Sequence, residues 1–290
     1  MYAVLFFHKE DKMERIESLA NGRIKLAASL HQRRTREQTG KFIAEGVRLV
    51  ETAVASSWRV DFMIVTDDAL KNERVKSIAE KLEARRVPVL VASRELYKKA
   101  AATDTPQGVL CVMERRAWTM DDIAASMGTG EGAAEKAPLI VVLDGVQDPG
   151  NAGTILRTAD AVGATGVIAM KGTTDFFSDK VVRSAMGSLF HLPVVTSVDT
   201  ADLLTFVEQQ SLSVFVTMLD DTARPHFDAD FTVPSAIVFG NEGSGVSGAL
   251  RDVGEKIFIP MRGQTESLNV ATSAAIVLYE AVRQRYYMSL

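Results

Sequence analysis

The sequence predicts two α/β domains in tandem, the second built on a mostly parallel sheet. Three observations lead there. Strand-like and helix-like segments take turns along most of the chain, which is the pattern of layered α/β domains. In the second half the strand-like runs are nearly continuous in apolar residues, as strands covered on both faces are. Between the halves lies WTMDDIAASMGTGEGAAEKA (118–137), a small, acidic, glycine-bearing stretch with the composition of a linker, although DDIAASM within it could form a short helix. At 290 residues, 47% hydrophobic and 24% charged, each half is long enough to bury its own core.

Residues 1–12 read as an N-terminal extension. From Met13 the spacing of Ile16, Leu19, Ile24, Ala27 and Leu30 predicts a helix. TREQTGK (35–41) then reads as a basic turn, and FIAEGVRLVETAVAS (42–56) as a second amphipathic helix. VDFMIVT (60–66), PVLVAS (88–93) and QGVLCVMER (107–115) read as strands, with a helix over LKNERVKSIAEKLEARR (70–86). These elements make a first domain over 13–117. The second, over 138–290, runs through PLIVVLDG (138–145), VGATGVIAM (162–170), LPVVTS (192–197), LSVFVTML (212–219), SAIVFGNEG (235–243) and EKIFIPMRG (255–263). NAGTILRTADAV (151–162) is a helical spacer, and the chain closes with a helix over 267–287.

Composition removes several classes of function. No apolar run approaches the ~18–20 residues of a membrane span. A single cysteine, Cys111, forms neither an internal disulfide nor a zinc cluster, so a reducing cytoplasm is expected and no metal centre is. The net charge of −4 conceals an asymmetry. Residues 1–116 hold 22 Lys and Arg against 16 Asp and Glu, and the remainder holds 11 against 21. Such imbalance between halves is a pointer to nucleic acid, though a few surface lysines produce the same sum.

Ligands of open parallel sheets sit outside the carboxyl ends of the strands. Three segments fall there, rich in Gly, Asn and Ser and poor in the usual catalytic types. In 143–167, Asp148-Pro149-Gly150-Asn151 signals a turn, and a helix follows that carries Asn151, Gly153 and Arg157 at its start. A glycine-bearing helix start can receive an anion, but neither a dinucleotide fingerprint nor a Walker lysine is present. In 237–247, glycines at 240, 243 and 245 free the backbone for close approach, and Glu242 either caps a helix or positions a ligand. In 257–273, Ser267 or Asn269 suits the N-cap of the last helix. None of the four histidines, His8, His31, His191 and His226, lies in these segments, so a histidine base is unsupported.

Together, in this order and spacing, GNAGTILRTADAVGATGV, VFGNEGSGVS and IPMRGQTESLNVATSAAIVLYEA resemble the three motifs of the SpoU (TrmH) family of SPOUT RNA methyltransferases. The intervening FFSDKVVRSAMGSLFHLPV matches as well, and residues 33–115 resemble the substrate-binding domain that precedes many members. The resemblance implies a C-terminal parallel-sheet SPOUT domain with a deep trefoil knot, preceded by a smaller α/β substrate-binding domain. It also implies transfer of a methyl group from S-adenosylmethionine to a ribose 2′-hydroxyl, most naturally of ribosomal RNA, by a homodimer. On these positions it assigns Gly240, Ile259 and Leu268 to the adenosylmethionine pocket with Thr217, Met218 and Met261 nearby, and Asn151, Arg157, Glu242, Ser267 and Asn269 to a polar set around donor and ribose. Arg33, Arg34, Arg36, Lys41 and Arg48 become a basic face for RNA backbone, with Arg183 beside the site; without the resemblance, a solvated surface explains them equally. Rival readings are a transfer-RNA methyltransferase, a non-catalytic RNA-binding or ribosome-assembly protein on the same scaffold, and a dinucleotide-dependent oxidoreductase.

Guanidinium keeps its proton in proteins, so Arg157 is expected to grip a phosphate and stabilise a developing alkoxide rather than act as a base.

Overall fold

The structure, a computed structural model, describes residues 13–127 and 137–287. The extension at 1–12 and most of the GTGEGAAEKA end of the expected linker lie outside the described residues. The chain divides into two compact units, Met1–Arg115 and Arg116–Leu290.

The first unit is built on a five-stranded sheet in the order β1-β4-β3-β5-β2. Its strands are β1 (Glu14–Ile16), β2 (Lys41–Glu45), β3 (Val60–Thr66), β4 (Val89–Ala92) and β5 (Val109–Glu114), of which β5 alone runs against its neighbours. Helices α1 (Gly22–Ser29) and α5 (Arg94–Ala100) pack together, as do α3 (Val47–Ala55) and α4 (Glu73–Ala84).

Three sequence expectations change here. The segment from Met13 is not one helix. It begins as β1, where Ile16 is buried beside β4, and the helix starts only at Gly22, capped by the Asn21 side chain on the Arg23 amide at 2.9 Å. Leu19, counted into the helical spacing, is 53% exposed. The expected basic turn is a short helix, α2 (Arg33–Thr39), ended by Gly40 in the left-handed region at φ 64°. The second expected helix splits into β2 and α3: Phe42, Ile43 and Ala44 are buried against β5, and Gly46 at φ 101° turns the chain between the two. Pairing with a strand some 70 residues away outweighs the local helical period.

The second unit carries a seven-stranded sheet in the order β10-β12-β9-β11-β6-β7-β8. Its strands are β6 (Leu139–Asp144), β7 (Gly166–Met170), β8 (Val194–Val198), β9 (Ser213–Thr217), β10 (Arg224–Pro225), β11 (Ser235–Gly240) and β12 (Glu255–Phe258). Every pairing is parallel, as the apolar runs predicted. The helices are α6 (Met120–Ser126), α7 (Pro149–Ala161), α8 (Asp179–Ser184), α9 (Thr200–Gln209) and α10 (Val270–Tyr287). Helix α6 opens the stretch read as a linker, yet Ile123 is fully buried in the core of this unit, against Gly166, where a Cβ would stand 2.9 Å from the Ile123 side chain. A capping box between Thr119 and Asp122 starts that helix, so only the glycine-bearing remainder keeps linker composition. At the other end of the unit Arg285 of α10 donates to the carbonyls of Ala137, Pro138, Phe231 and Val233, which fastens the last helix beneath the sheet.

Strand β6 pairs with β7 on one side and β11 on the other. The chain leaves β6 toward β8, then returns across the sheet to β9. That reversal opens a crevice at the carboxyl ends of β6, β9, β11 and β12, the place where parallel sheets bind ligands.

Candidate active site

Because all these strands run the same way, the segments that follow β6, β9, β11 and β12 emerge at one edge. Residues 217–219, 240–246, 257–259, 261 and 266–270 line a single cavity of about 430 Å³, within the size range of small-molecule sites. All six residues expected to bind the donor line it: Thr217, Met218, Gly240, Ile259, Met261 and Leu268. Glu242, Ser267 and Asn269 line it too.

The loop after β11 is shaped by close approach. A Cβ on Gly240 would sit 2.3 Å from the Gly245 carbonyl carbon and the Val246 nitrogen, so only glycine lets the loop fold back. Asn241 and Gly245 exchange both backbone bonds at 2.9 and 3.0 Å, with Gly245 at φ 70°. The Asn241 side chain accepts from the amides of Gly243 and Ser244 and donates to the Gly145 carbonyl at 2.8 Å. Asp144, at the end of β6, accepts from the Ser247 amide at 2.7 Å. The β6 and β11 loops are thus joined at both ends.

Asn151 joins all three segments. Its side-chain nitrogen donates to Glu242 at 2.9 Å, and its oxygen accepts from the Asn269 amide nitrogen at 3.0 Å. Glu242 also accepts from the backbone amides of Gln147 and Asp148, at 3.2 and 3.1 Å. Partial burial pushes the Glu242 carboxyl up, but the bonds from Asn151 and from backbone amides outweigh it and hold the group below the usual carboxylate range. The carboxylate is a fastening between two loops rather than the helix cap that a lone glutamate suggests. Asn269 takes the cap of α10 instead, its side-chain oxygen accepting from the Ala271 and Thr272 amides at 2.9 and 3.3 Å. Asp148 caps α7 on the Asn151 amide at 2.8 Å and pairs with Lys180 at 3.2 Å; its carboxyl is lowered by that amide bond first and by Lys180 after it.

Two residues of the expected site, Asn151 and Arg157, do not line the cavity. Asn151 bonds to two residues that do, and Thr217, which lines it, donates its hydroxyl to the Val238 carbonyl at 2.8 Å. Arg157 is exposed on α7, outside the cavity of its own chain, with no hydrogen bond or ion pair to any described residue.

Of the expected basic face, one member is turned inward. Arg36 is 4% exposed and donates to the Leu30 and His31 carbonyls at 2.7 and 2.9 Å, closing the end of α1, so its charge is structural. Arg33 pairs with Glu37 at 2.7 Å and Lys41 with Asp61 at 2.6 Å. Arg34 on α2 and Arg48 at the start of α3 are exposed. In the second unit Arg183 lies partly buried on α8, with Nη1 enclosed and lacking a partner. Sequence reasoning passed over Asp144, Asn241, Lys180, Arg251 and Glu266; of these Asn241 and Glu266 lie inside the second and third motifs and carried a local signal.

The cavity's apolar side chains, among them Met218, Leu219, Ile259, Met261 and Leu268, suit a purine nucleoside such as the adenosyl half of adenosylmethionine. Among the described residues no group of three or more His, Cys, Asp or Glu gathers to hold a metal, and no helix is long and apolar enough to cross a membrane.

Residues 138–279 match the SpoU rRNA Methylase family, and residues 21–111 match the MRM3-like substrate binding domain. The 23S rRNA (guanosine(2553)-2′-O)-methyltransferase RlmP of Bacillus subtilis is 35% identical over 271 residues, 92% of this chain and 98% of the relative. Among solved structures, an AdoMet-bound rRNA methyltransferase from Sinorhizobium meliloti superposes with a TM-score of 0.83 at 32% identity, over 95% of this chain and 99% of the other. The SpoU methyltransferase AviRb from Streptomyces viridochromogenes, in complex with AdoMet, gives 0.78 at 32% identity, over 92% and 99%. A two-domain match along nearly the whole chain, with all three loops gathered at the edge where their order and spacing placed them, leaves one assignment: this chain belongs to the SpoU rRNA methylase family.

Proposed function

We infer that this protein transfers a methyl group from S-adenosylmethionine to a ribose 2′-hydroxyl of ribosomal RNA, and that it does so in the cytoplasm. The observation that carries this reading is the convergence of the segments after β9, β11 and β12 on one cavity, the last two fastened to the β6 loop through Asn151, Glu242 and Asn269.

Adenosylmethionine, once bound, supplies a methyl group on a sulfonium, a leaving group that needs no activation. The chain's task is alignment, which is worth ~7–11 kcal/mol when reacting atoms are held near contact distance. The tied loops serve that task, since the wall segments carrying Glu242 and Asn269 are cross-linked through Asn151 and have little freedom to drift. Glu242, already accepting three bonds and held ionised, positions the loops and is a weak proton acceptor. Among the described residues no histidine lines the cavity. Arg157 grips an RNA phosphate and stabilises the alkoxide as it forms, an effect of ~2.7–4 kcal/mol for a preorganised donor, while the hydroxyl proton passes to a phosphate or to water and the donor leaves as the neutral thioether S-adenosylhomocysteine. Standing outside the cavity of its own chain, it does this in an assembly, and a homodimer supplies one; α10 offers Tyr279 and Tyr286, 54% and 45% exposed, to such a contact. The trefoil threading of the C-terminal segment belongs to the same reading, supported by residues 259–269 lying against the 240–246 loop around one cavity.

Arg157→Ala is expected to abolish methyl transfer to ribosomal RNA while leaving adenosylmethionine affinity within twofold, measured by calorimetry beside mass-spectrometric mapping of ribose methylation. A large loss of donor affinity removes the phosphate-gripping role; absence of ribose methylation by the unmutated protein removes the reading itself.

A further inference from the structure

Three charged side chains line the cavity among the described residues: Glu242, Arg251 and Glu266. Glu242 is engaged by three donors. The other two are not. Arg251 donates from Nε to the Val246 carbonyl at 3.2 Å, and its two terminal nitrogens make no hydrogen bond or ion pair. That one bond fixes the guanidinium to the 240–246 loop and leaves the two-pronged end available, the geometry that matches a carboxylate. Glu266, exposed on the segment that leads into α10, has no partner in the described chain either. Both charges therefore stand on the wall of the cavity, and neither the terminal nitrogens of Arg251 nor the Glu266 carboxylate is used by the fold.

One uncommitted cation and one uncommitted carboxylate, on a wall otherwise rich in apolar residues and glycine, suit a ligand that is a nucleoside at one end and a zwitterion at the other. We propose that Arg251 and Glu266 receive the carboxylate and the ammonium group of the donor's methionyl end, and so set specificity for a nucleoside bearing an amino acid over a bare nucleoside thioether. This rests on the donor reading above. It adds Arg251, which lies outside the loop motifs, and gives a role to Glu266, which lies within the third motif but outside the tied network.

The test uses the full chain and two ligands, S-adenosylhomocysteine and 5′-methylthioadenosine, the second lacking the amino-acid end. For the unmutated protein, calorimetry is expected to give a lower Kd for S-adenosylhomocysteine. Arg251→Gln and Glu266→Gln are each expected to weaken S-adenosylhomocysteine by about 10- to 100-fold, the range for a hydrogen bond to a charged group, and to leave 5′-methylthioadenosine unchanged. Equal losses for both ligands would overturn the proposal, since the side chains would then be shaping the loops. So would unchanged S-adenosylhomocysteine affinity with a raised KM for RNA, which would make Arg251 a phosphate contact. An unmutated chain that binds neither ligand fails differently: it refutes the donor reading, and this one with it.

Discussion

The two units use the same materials to different ends. In the first, strand β5 runs against its neighbours, loops leave both edges of the sheet, and charged side chains are satisfied close by: Arg33 by Glu37, Lys41 by Asp61, Arg36 by the carbonyls that end α1. In the second, every strand runs one way, so segments separated by 91 to 118 residues leave at a single edge and bond to each other. Strand direction thus decides whether polar residues are used up locally or gathered into a site.

Glycine substitutions break the comparison most sharply. Gly240→Ala places a Cβ against backbone atoms that cannot yield, so thermal unfolding should show a loss of about 3 kcal/mol and calorimetry no donor binding. Gly40→Ala in the first unit meets nothing within 4 Å and carries only the strain of a left-handed residue, about 1 kcal/mol, with methyl transfer intact.

Arginines of the first unit sharpen it next. Arg36→Ala strips two carbonyls of their buried donor and should cost about 2 kcal/mol in denaturant unfolding. Arg48→Ala should leave stability within about 0.5 kcal/mol and instead lower the salt slope of RNA affinity by about one. If the two outcomes were exchanged, the division between structural and surface charge would be wrong.

Acid provides the gentlest probe. The folded carboxyl of Glu242 is depressed, so its contribution is complete above the unfolded carboxylate range, near pH ~4.3, and disappears as pH falls through the lower folded value. The melting temperatures of the unmutated protein and Glu242→Gln should differ at neutral pH and converge in acid. A gap that persists in acid would mean the carboxylate's charge is not what fastens the loops.

Much of this was legible in the residues. The apolar runs from Leu139 to Phe239 predicted a parallel sheet because strands buried on both faces tolerate little polarity. The cavity-lining positions came from the resemblance to the SpoU family, carried over residue by residue. What stayed hidden depends on contacts distant in sequence. Phe42–Glu45 fits a helical period as well as a strand, and its pairing with β5 decides the matter. Glu242 suggests a cap when its donors, Gln147 and Asp148, are 95 and 94 residues away. Arg36 lies in a basic run, and only its position behind α1 reveals that it points inward. Arg251 sits in a stretch without any motif and becomes notable only as a cavity wall with spare donors.

The central claim is that three loops form one cooperative donor site, and a double-mutant cycle measures it directly. S-adenosylhomocysteine would be titrated into the unmutated protein, Asn151→Ala, Glu242→Gln and the double variant. Both side chains belong to one network, so the double variant should lose scarcely more affinity than the worse single one, a coupling of about 1–3 kcal/mol. Strictly additive losses, or unchanged affinity in all three variants, would contradict it.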